Sequence, residues 1–435
     1  MSEITSPLAE ALNKDLKEHD NCAFDLLSEK GRQIFFPSKG ILGQSAEAKG
    51  SKINATIGTA FEEDGSPLCL ECIEELLNIH SDSFLYTPSY GLPKLRETWK
   101  ELIYRKNPGL AGVPISLPVV VGALTHALSV SGYLFVNEGD EIILPDLNWD
   151  NYELLFKYAF GAKFAAYKTF DGNGYNILGL REKLFSKGEK KIVLLNFPNN
   201  PTGYTATEKE AGQISAALVE AAEKGKKVVV LLDDAYFGLV YEKGVYTESL
   251  FSKLANAHRN LLVVKLDGPT KEDYVWSFRI GFMTFGIKNA TEKQYKALEA
   301  KAAGTVRGNV SNCSGIAQSI LLKGYQNPNY EKQKNEKFMC LKNRYEKIKE
   351  ILSAHPGYAE SFIPMPFNSG YFMCVKPVGA DAEAVRKELI ASHSTGVIVL
   401  SGLVRLAFSA VSTDKLGQMF TNLDTAIRSI KAKNG

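Results

Sequence analysis

Val228-Val229-Val230-Leu231-Leu232-Asp233-Asp234-Ala235-Tyr236 is the stretch that decides the fold class. Five apolar residues without alternation read as a strand buried on both faces, and the two carboxylates mark its end. Similar runs return at 119–121, 141–144, 162–168, 192–196 and 261–265. Helix-length segments separate them, the alanine-rich 208–224 among them. Short apolar strands alternating with helices predict an α/β fold, with a large domain built on a mostly parallel sheet covered by helices.

After about residue 325 the texture changes. Phe338, Leu341, Tyr345, Ile348 and Leu352 recur at spacings of three and four, one face of a long helix. Strands at 370–375 and 404–409 and helices at 381–391 and 414–430 then complete a small α+β unit. Residues 1–53 read as a helix followed by irregular chain, broken by Gly31, Pro37, Gly40 and Gly43. The expected organisation is an N-terminal arm and part of a small domain at 1–60, a large domain at 61–325, and a small C-terminal domain at 326–435.

Composition narrows the function. The chain has 435 residues, 45% hydrophobic and 23% charged, as in an ordinary globular protein. A formal net charge of +2 gives no electrostatic case for nucleic acid. The start, Met1-Ser2-Glu3-Ile4-Thr5, does not read as a signal peptide, and no stretch reaches the ~18 apolar residues of a membrane span. Six scattered cysteines read as free thiols, so a cytoplasmic protein is expected, with no membrane partner. Cys69-x-x-Cys72 has no second pair, and no metal is expected.

The candidate chemistry lies at strand ends, where open α/β sheets bind ligands. Asp233 is costly to bury unless a cation meets it; a protonated ring nitrogen, a helix N-cap or a salt bridge would each account for it. Lys271 ends Lys265-Leu266-Asp267-Gly268-Pro269-Thr270-Lys271, and Arg279 follows eight residues later. A lysine amine kept neutral can capture an aldehyde and afterwards move a proton. An arginine fork suits a phosphate. The turn Gly122-Ala123-Leu124-Thr125 joins a strand to a helix, and its amides can hold an anion. Tyr236, and Asn200 in Asn200-Pro201-Thr202-Gly203, can donate to a phenolic oxygen. Trp149 can stack on a ring, with Tyr152 a rival for that place. His126 reads as packing or capping. Aldehyde, phosphate, ring nitrogen and phenolic oxygen together describe pyridoxal 5'-phosphate (PLP).

In this order and spacing the motifs resemble the class I/II aminotransferases of PLP fold type I, with the aspartate and aromatic amino-acid aminotransferases nearest in pattern. The resemblance implies PLP held by Ala123, Leu124, Trp149, Asn200, Asp233, Tyr236, Lys271 and Arg279, with Lys271 catalytic. It also implies that Arg405, in Val404-Arg405-Leu406, and Gly58 bind the substrate α-carboxylate. Tyr86 resembles the tyrosine lent to the neighbouring subunit's phosphate, which implies a homodimer with shared active sites. Arg307, in Arg307-Gly308-Asn309-Val310-Ser311-Asn312, resembles the arginine that reaches across the dimer to a side-chain carboxylate. A helix-end or interface role for Arg307 stays open. The implied reaction moves the amino group of an amino acid, aspartate or glutamate with aromatic ones open, to a 2-oxo acid such as 2-oxoglutarate.

There are departures from the pattern. Gly268 stands where the family often has serine, and Thr270 is a candidate to compensate. The tryptophan segment carries one extra residue. Two alternatives remain: another PLP reaction on the same scaffold, β-elimination or decarboxylation, and a PLP-sensing regulator. The regulator would need a helix-turn-helix module ahead of Gly58, for which the sequence leaves little room.

Overall fold

The computed structural model describes residues 6–17, 27, 32, 40–77, 83 and 85–434. At its centre is a seven-stranded sheet made of β1 (Val119–Val121), β2 (Glu141–Pro145), β3 (Lys163–Tyr167), β4 (Lys190–Asn196), β5 (Lys227–Asp233), β6 (Leu261–Asp267) and β7 (Gly281–Gly286). The spatial order is β1-β7-β6-β5-β4-β2-β3. Strands β3, β2, β4, β5 and β6 pair in parallel, and β7 runs antiparallel to both β6 and β1. The architecture is therefore the α/β fold read from 228–236. The reversed strand β7 was not singled out in the sequence, because Gly281-Phe282-Met283-Thr284-Phe285-Gly286 shows neither alternation nor a β-branched run.

Local chemistry accounts for the helices that cover the sheet. Helix Glu208–Glu223 starts at Thr207, whose hydroxyl accepts from the Glu210 amide while the Glu210 carboxylate accepts from the Thr207 amide. Its buried residues Ala211, Ile214, Leu218 and Ala222 fall at spacings of three and four and face the sheet. Helix Ala123–Phe135 follows β1 directly after Gly122. Parallel register sets Asn196 beside Asp233, and Asp233 beside Leu266, so the polar ends of β4, β5 and β6 share one edge.

A second, antiparallel sheet lies in the C-terminal part. It contains β8 (Phe362–Pro364), β9 (Phe372–Pro377), β10 (Ile398–Leu400) and β11 (Leu403–Ala407), in the order β8-β9-β11-β10. Helices Ala382–His393 and Thr413–Asn434 complete this α+β unit. The expected amphipathic helix is Tyr330–Ala354, with Leu341, Tyr345 and Ile348 buried. On the same face Arg344 is fully buried, donating to the Ser409 carbonyl at 2.6 Å and to Glu63 at 2.9 Å.

The N-terminal part joins this C-terminal unit. Ile53–Asn54 pairs in parallel with Thr395–Gly396. Gln44, in helix Ile41–Glu47, exchanges two hydrogen bonds with the Val399 backbone. Helix Pro7–Lys17 is the described part of the expected N-terminal helix, and most of 18–39 lies outside the described residues. The two sheets meet at Gly203 (φ 71°), where an added Cβ would lie 1.9 Å from the Phe372 carbonyl oxygen, so only glycine fits. Among the described residues, no helix is long and apolar enough to cross a membrane.

Candidate active site

A cavity of ≈ 240 Å³ opens at the shared strand edge, between the two sheets. Its wall includes ten of the residues singled out above: Gly58, Ala123, Leu124, Trp149, Asn200, Asp233, Tyr236, Lys271, Arg279 and Arg405. They come from the ends of β1, β2, β4, β5 and β6, from β11 and from the N-terminal segment, which is why no single motif showed the site.

Lys271 sits in the short helix Pro269–Glu272 that follows β6. Its Nζ lies 5.1 Å from the centre of the Tyr236 ring, and it makes no hydrogen bond or ion pair among the described residues. Burial pushes its amine down to about 8, with the Arg279 charge adding to that effect and Asp233 opposing it. The lysine is thus far closer to a neutral nucleophile than an exposed one at neutral pH.

Asp233 ends β5 and is 3% exposed. Its Oδ2 accepts from the Tyr152 hydroxyl at 2.6 Å and its Oδ1 from the Ala235 amide at 3.2 Å. Burial raises its pKa, while the Tyr152 hydroxyl and the Lys271 charge draw it back down. Asn196, at the end of β4, accepts from the Asn200 amide at 2.7 Å and donates to the Asp233 carbonyl at 2.7 Å. It ties the Asn200 turn to the Asp233 strand. The sequence already placed Asn196 at a strand end, and that was the signal available for it.

Arg405 fixes the Asn200 side chain. Its Nη1 donates to Asn200 Oδ1 at 3.0 Å and its Nη2 to the Thr56 carbonyl at 2.9 Å. With Oδ1 so engaged, the Asn200 amide nitrogen is the end left to donate into the cavity. The guanidinium also lies 4.3 Å over the Phe372 ring, and its Nε has no partner among the described residues. A Cβ added at Gly58 would lie 3.4 Å from the Phe372 ring and 3.7 Å from the Tyr236 hydroxyl.

The start of helix Ala123–Phe135 and Arg279 also line the cavity. The first amides of a helix have no partner within it and draw an anion. Arg279, unpaired among the described residues, adds a full positive charge. Both Ala123 (φ 66°) and Arg279 (φ 53°) occupy the left-handed region, a strain of order 1–3 kcal/mol each that collects at functional sites. His126 accepts from the Gly122 amide at 2.9 Å through Nδ1, and burial lowers its pKa, so it braces this turn as a neutral ring.

Gly268 cannot be a serine in this packing. A Cβ there would sit 2.9 Å from Gly281 Cα and 3.0 Å from the Ile280 carbonyl oxygen. Thr270, 3% exposed and on the cavity wall, instead carries a hydroxyl with no partner among the described residues. Trp276, unnoticed in the sequence, also lines the wall and has an unpartnered indole N–H. Ile41 and Phe372 line it as well, two apolar residues that carried no chemical signal. Trp149 and Tyr152 both border the cavity, but the Tyr152 hydroxyl is spent on Asp233.

Of the residues that the resemblance implied for binding cofactor or substrate, two do not line this cavity. Tyr86 is 94% exposed, and Arg307 is exposed in the last turn of helix Glu292–Val310. They belong to neighbouring segments: Thr87 Oγ1 donates to the Cys313 carbonyl at 2.8 Å and Ser89 Oγ to the Ser311 carbonyl at 2.7 Å.

The sequence profile described as aminotransferase class I and II matches residues 52–423. The chain belongs to this family. An aspartate aminotransferase of Geobacillus stearothermophilus is 30% identical over 304 residues, 68% of this chain, and the chain spans 66% of that relative's length. Among solved structures, an aminotransferase from Anaerococcus prevotii superposes with a TM-score of 0.81 at 22% identity, covering 92% of this chain and 98% of the other. The aspartate aminotransferase from Saccharomyces cerevisiae cytoplasm gives 0.75 at 18% identity, covering 94% and 99%. At such identities these two structures show the fold: the chain has the architecture of the PLP fold type I aminotransferases.

Proposed function

We propose that this member of the class I and II aminotransferases is a PLP-dependent transaminase, moving the amino group of an amino acid to a 2-oxo acid. The observation that carries the reading is one cavity holding a lysine amine with its pKa pushed down to about 8, a buried carboxylate and an unpaired arginine at a helix start. The donor set fits PLP. Asp233 suits a protonated ring nitrogen, and Tyr236 and Asn200 suit the phenolic oxygen. Arg279, the amides at Ala123 and Leu124, and the orphan Thr270 hydroxyl suit the phosphate. Trp149 suits the ring face, and Lys271 the aldehyde. When bound, PLP supplies a cationic ring that disperses negative charge developing at the substrate α-carbon.

The chain's own residues would supply the rest. Arg405, already oriented by Asn200 and Thr56, receives the substrate α-carboxylate and sets the α-carbon toward Lys271. Lys271 would take the substrate α-proton and hold it for return, which a near-neutral amine does well. Asp233, as a carboxylate, would keep a ring nitrogen protonated. Ile41 and Phe372 add apolar surface to the cavity wall.

The substrate reading rests on Arg307, which would meet a side-chain carboxylate of aspartate or glutamate. Since Arg307 and Tyr86 stand exposed on adjoining segments, with Leu85 and Val310 also exposed there, we place them at a homodimer interface, each serving the partner's cavity. The test is direct. Purified protein supplied with PLP, aspartate and 2-oxoglutarate should form glutamate, and borohydride should fix the cofactor to Lys271. Absence of label at Lys271 sinks the assignment.

A further inference from the structure

Tyr371 is fully buried and stands immediately before β9, in the sheet that also carries Arg405. Its hydroxyl reaches out of that sheet and donates to the Lys271 carbonyl at 3.1 Å. The carbonyl belongs to the end of the short helix Pro269–Glu272, and the last carbonyls of a helix have no partner within it. The Tyr371 ring meets the Tyr236 ring edge-on, at 5.3 Å and 70°. The next residue, Phe372, meets Tyr236 at 5.5 Å and lies under the Arg405 guanidinium. In the same strand pair, Cys374 of β9 stands beside Arg405 of β11. The chain leading into Tyr371 is held as well. The Gly370 amide donates to the Leu239 carbonyl at 2.8 Å, and the Gly370 carbonyl accepts from the Tyr241 hydroxyl at 2.9 Å.

We propose that Tyr371 is a positioning residue whose hydroxyl fixes the Lys271 main chain against the strand pair that carries Arg405. The proposal rests on the transaminase reading and deepens it. In that reaction Arg405, from one sheet, anchors the substrate, and Lys271, in the turn after a strand of the other sheet, takes its α-proton. The separation of anchor and base is thus set across the gap between two sheets, where the hydrogen-bond ladder of neither sheet reaches. A small misplacement of reacting groups costs a large part of the rate. Tyr371 spans that gap at the lysine itself. A phenol suits the task, because its ring fills the space beside Tyr236 while its hydroxyl meets the carbonyl. Burial pushes its own ionisation well above the usual range, so it remains a donor at every working pH. The groups facing the Lys271 amine are Asp233, Arg279 and Tyr236. Tyr371 bonds the main chain instead, so its hydroxyl acts on the amine only by keeping the turn in place.

The experiment reads the position of the amine without the cofactor. Cofactor-free wild type and Tyr371→Phe are labelled with trace acetic anhydride from about pH 6 to pH 11, and the extent of acetylation at Lys271 is read by mass spectrometry. The wild-type midpoint should fall near about 8. Tyr371→Phe keeps the ring and removes the donor, so the loosened turn should let water reach the amine and move its midpoint up toward 10.5. With PLP bound, the same variant should lose about tenfold or more in kcat with KM little changed, and its isotope effect with an α-deuterated amino acid should rise. A general loss of stability would move neither the midpoint nor the isotope effect. Should Tyr371→Phe not fold, hydrogen exchange in the wild type carries the test. The Asp273 amide and the amides at the start of β9 should open together, and independent opening of the Lys271 turn overturns the proposal. A wild-type midpoint in a folded Tyr371→Phe also overturns it and leaves the transaminase reading standing. Failure of the wild type to bind PLP, or of borohydride to label Lys271, overturns that reading and this proposal with it.

Discussion

Replacing Lys271 by methionine should make the cofactor-free protein more stable. Burial, with the Arg279 charge adding to it, moves the amine from 10.5 to about 8 in the folded state. A change of that size corresponds to about 3 kcal/mol at about 1.4 kcal/mol per pH unit. Lys271 is half-buried in a cavity that admits water, and its charge also helps keep Asp233 ionised, so we expect about 2 kcal/mol for the variant. The sign follows from proton binding. Between about 8 and 10.5 the unfolded chain holds a proton that the folded chain has released, so folding gains stability as pH rises through that window. The penalty is therefore fully present below the folded value and fades toward the unfolded one. Methionine has similar length and flexibility but no charge. Urea unfolding of both cofactor-free proteins at pH 7 and near pH 10 measures the gap. Methionine should be the more stable at pH 7, with the gap closing toward pH 10. A variant less stable at pH 7, or a gap indifferent to pH, would refute the claim that the fold keeps this amine poorly solvated.

Three further outcomes are expected. Thr270→Val should raise the PLP dissociation constant about tenfold while leaving that of pyridoxal, which lacks the phosphate, nearly unchanged; equal losses for both ligands would remove the phosphate from the role of Thr270. Lys265→Met should destabilise the protein by about 3–5 kcal/mol in urea unfolding, because Asp234 and Asp267 are then left buried without their cation; a loss under about 1 kcal/mol would mean that water or a proton satisfies them. Arg307→Ala should lower kcat/KM for aspartate by at least about 100-fold and for phenylalanine by far less, the cost of losing a bidentate charge pair. Equal losses would make Arg307 structural.

The sequence revealed what depends on order along the chain. Asp233 and Lys271 could be read because the first ends an apolar strand and the second follows one in the next turn, and parallel register brings strand ends to one edge. Arg279 was legible from its spacing to Lys271. What depends on packing was not legible. Tyr152 and Asp233 are hydrogen-bonded across 81 residues of sequence, and no local pattern announces such a pair. Gly268 looked like a missing serine, whereas it is a close approach of two backbones that excludes any side chain. Trp276 and Ile41 carry no periodicity, and they line the cavity only because the Lys271 turn and the N-terminal segment converge there. Tyr86 and Arg307 mark a different limit, because in the proposed homodimer the surface they would serve belongs to a second copy of the chain.

The residues flanking Lys271 explain why this turn has a single arrangement. Before it, Lys265 joins Asp234 and lies 3.2 Å from Asp267, which also accepts from the Trp99 indole at 3.0 Å. After it, Glu272 accepts from Lys106 at 2.8 Å and Lys334 at 2.6 Å, and Asp273 accepts from Lys334, Tyr325 and Tyr330. Burial alone would raise the Glu272 carboxyl, but the two lysines more than offset it and keep it ionised. Buried ion pairs of this kind contribute little net stability, because desolvation cancels most of their attraction. Apolar side chains of the same volume would serve stability as well. Breaking one of these pairs, however, strands a charge in the interior, so any register other than the native one is strongly disfavoured. The five-residue step from Asp267 to Glu272 is thus pinned at both ends. Lys271, the one cation in that step, has no such partner among the described residues, and it lines the cavity. The fold spends its buried counter-ions on the neighbours of the reactive amine and withholds one from the amine itself, which keeps Lys271 both fixed in place and easily deprotonated.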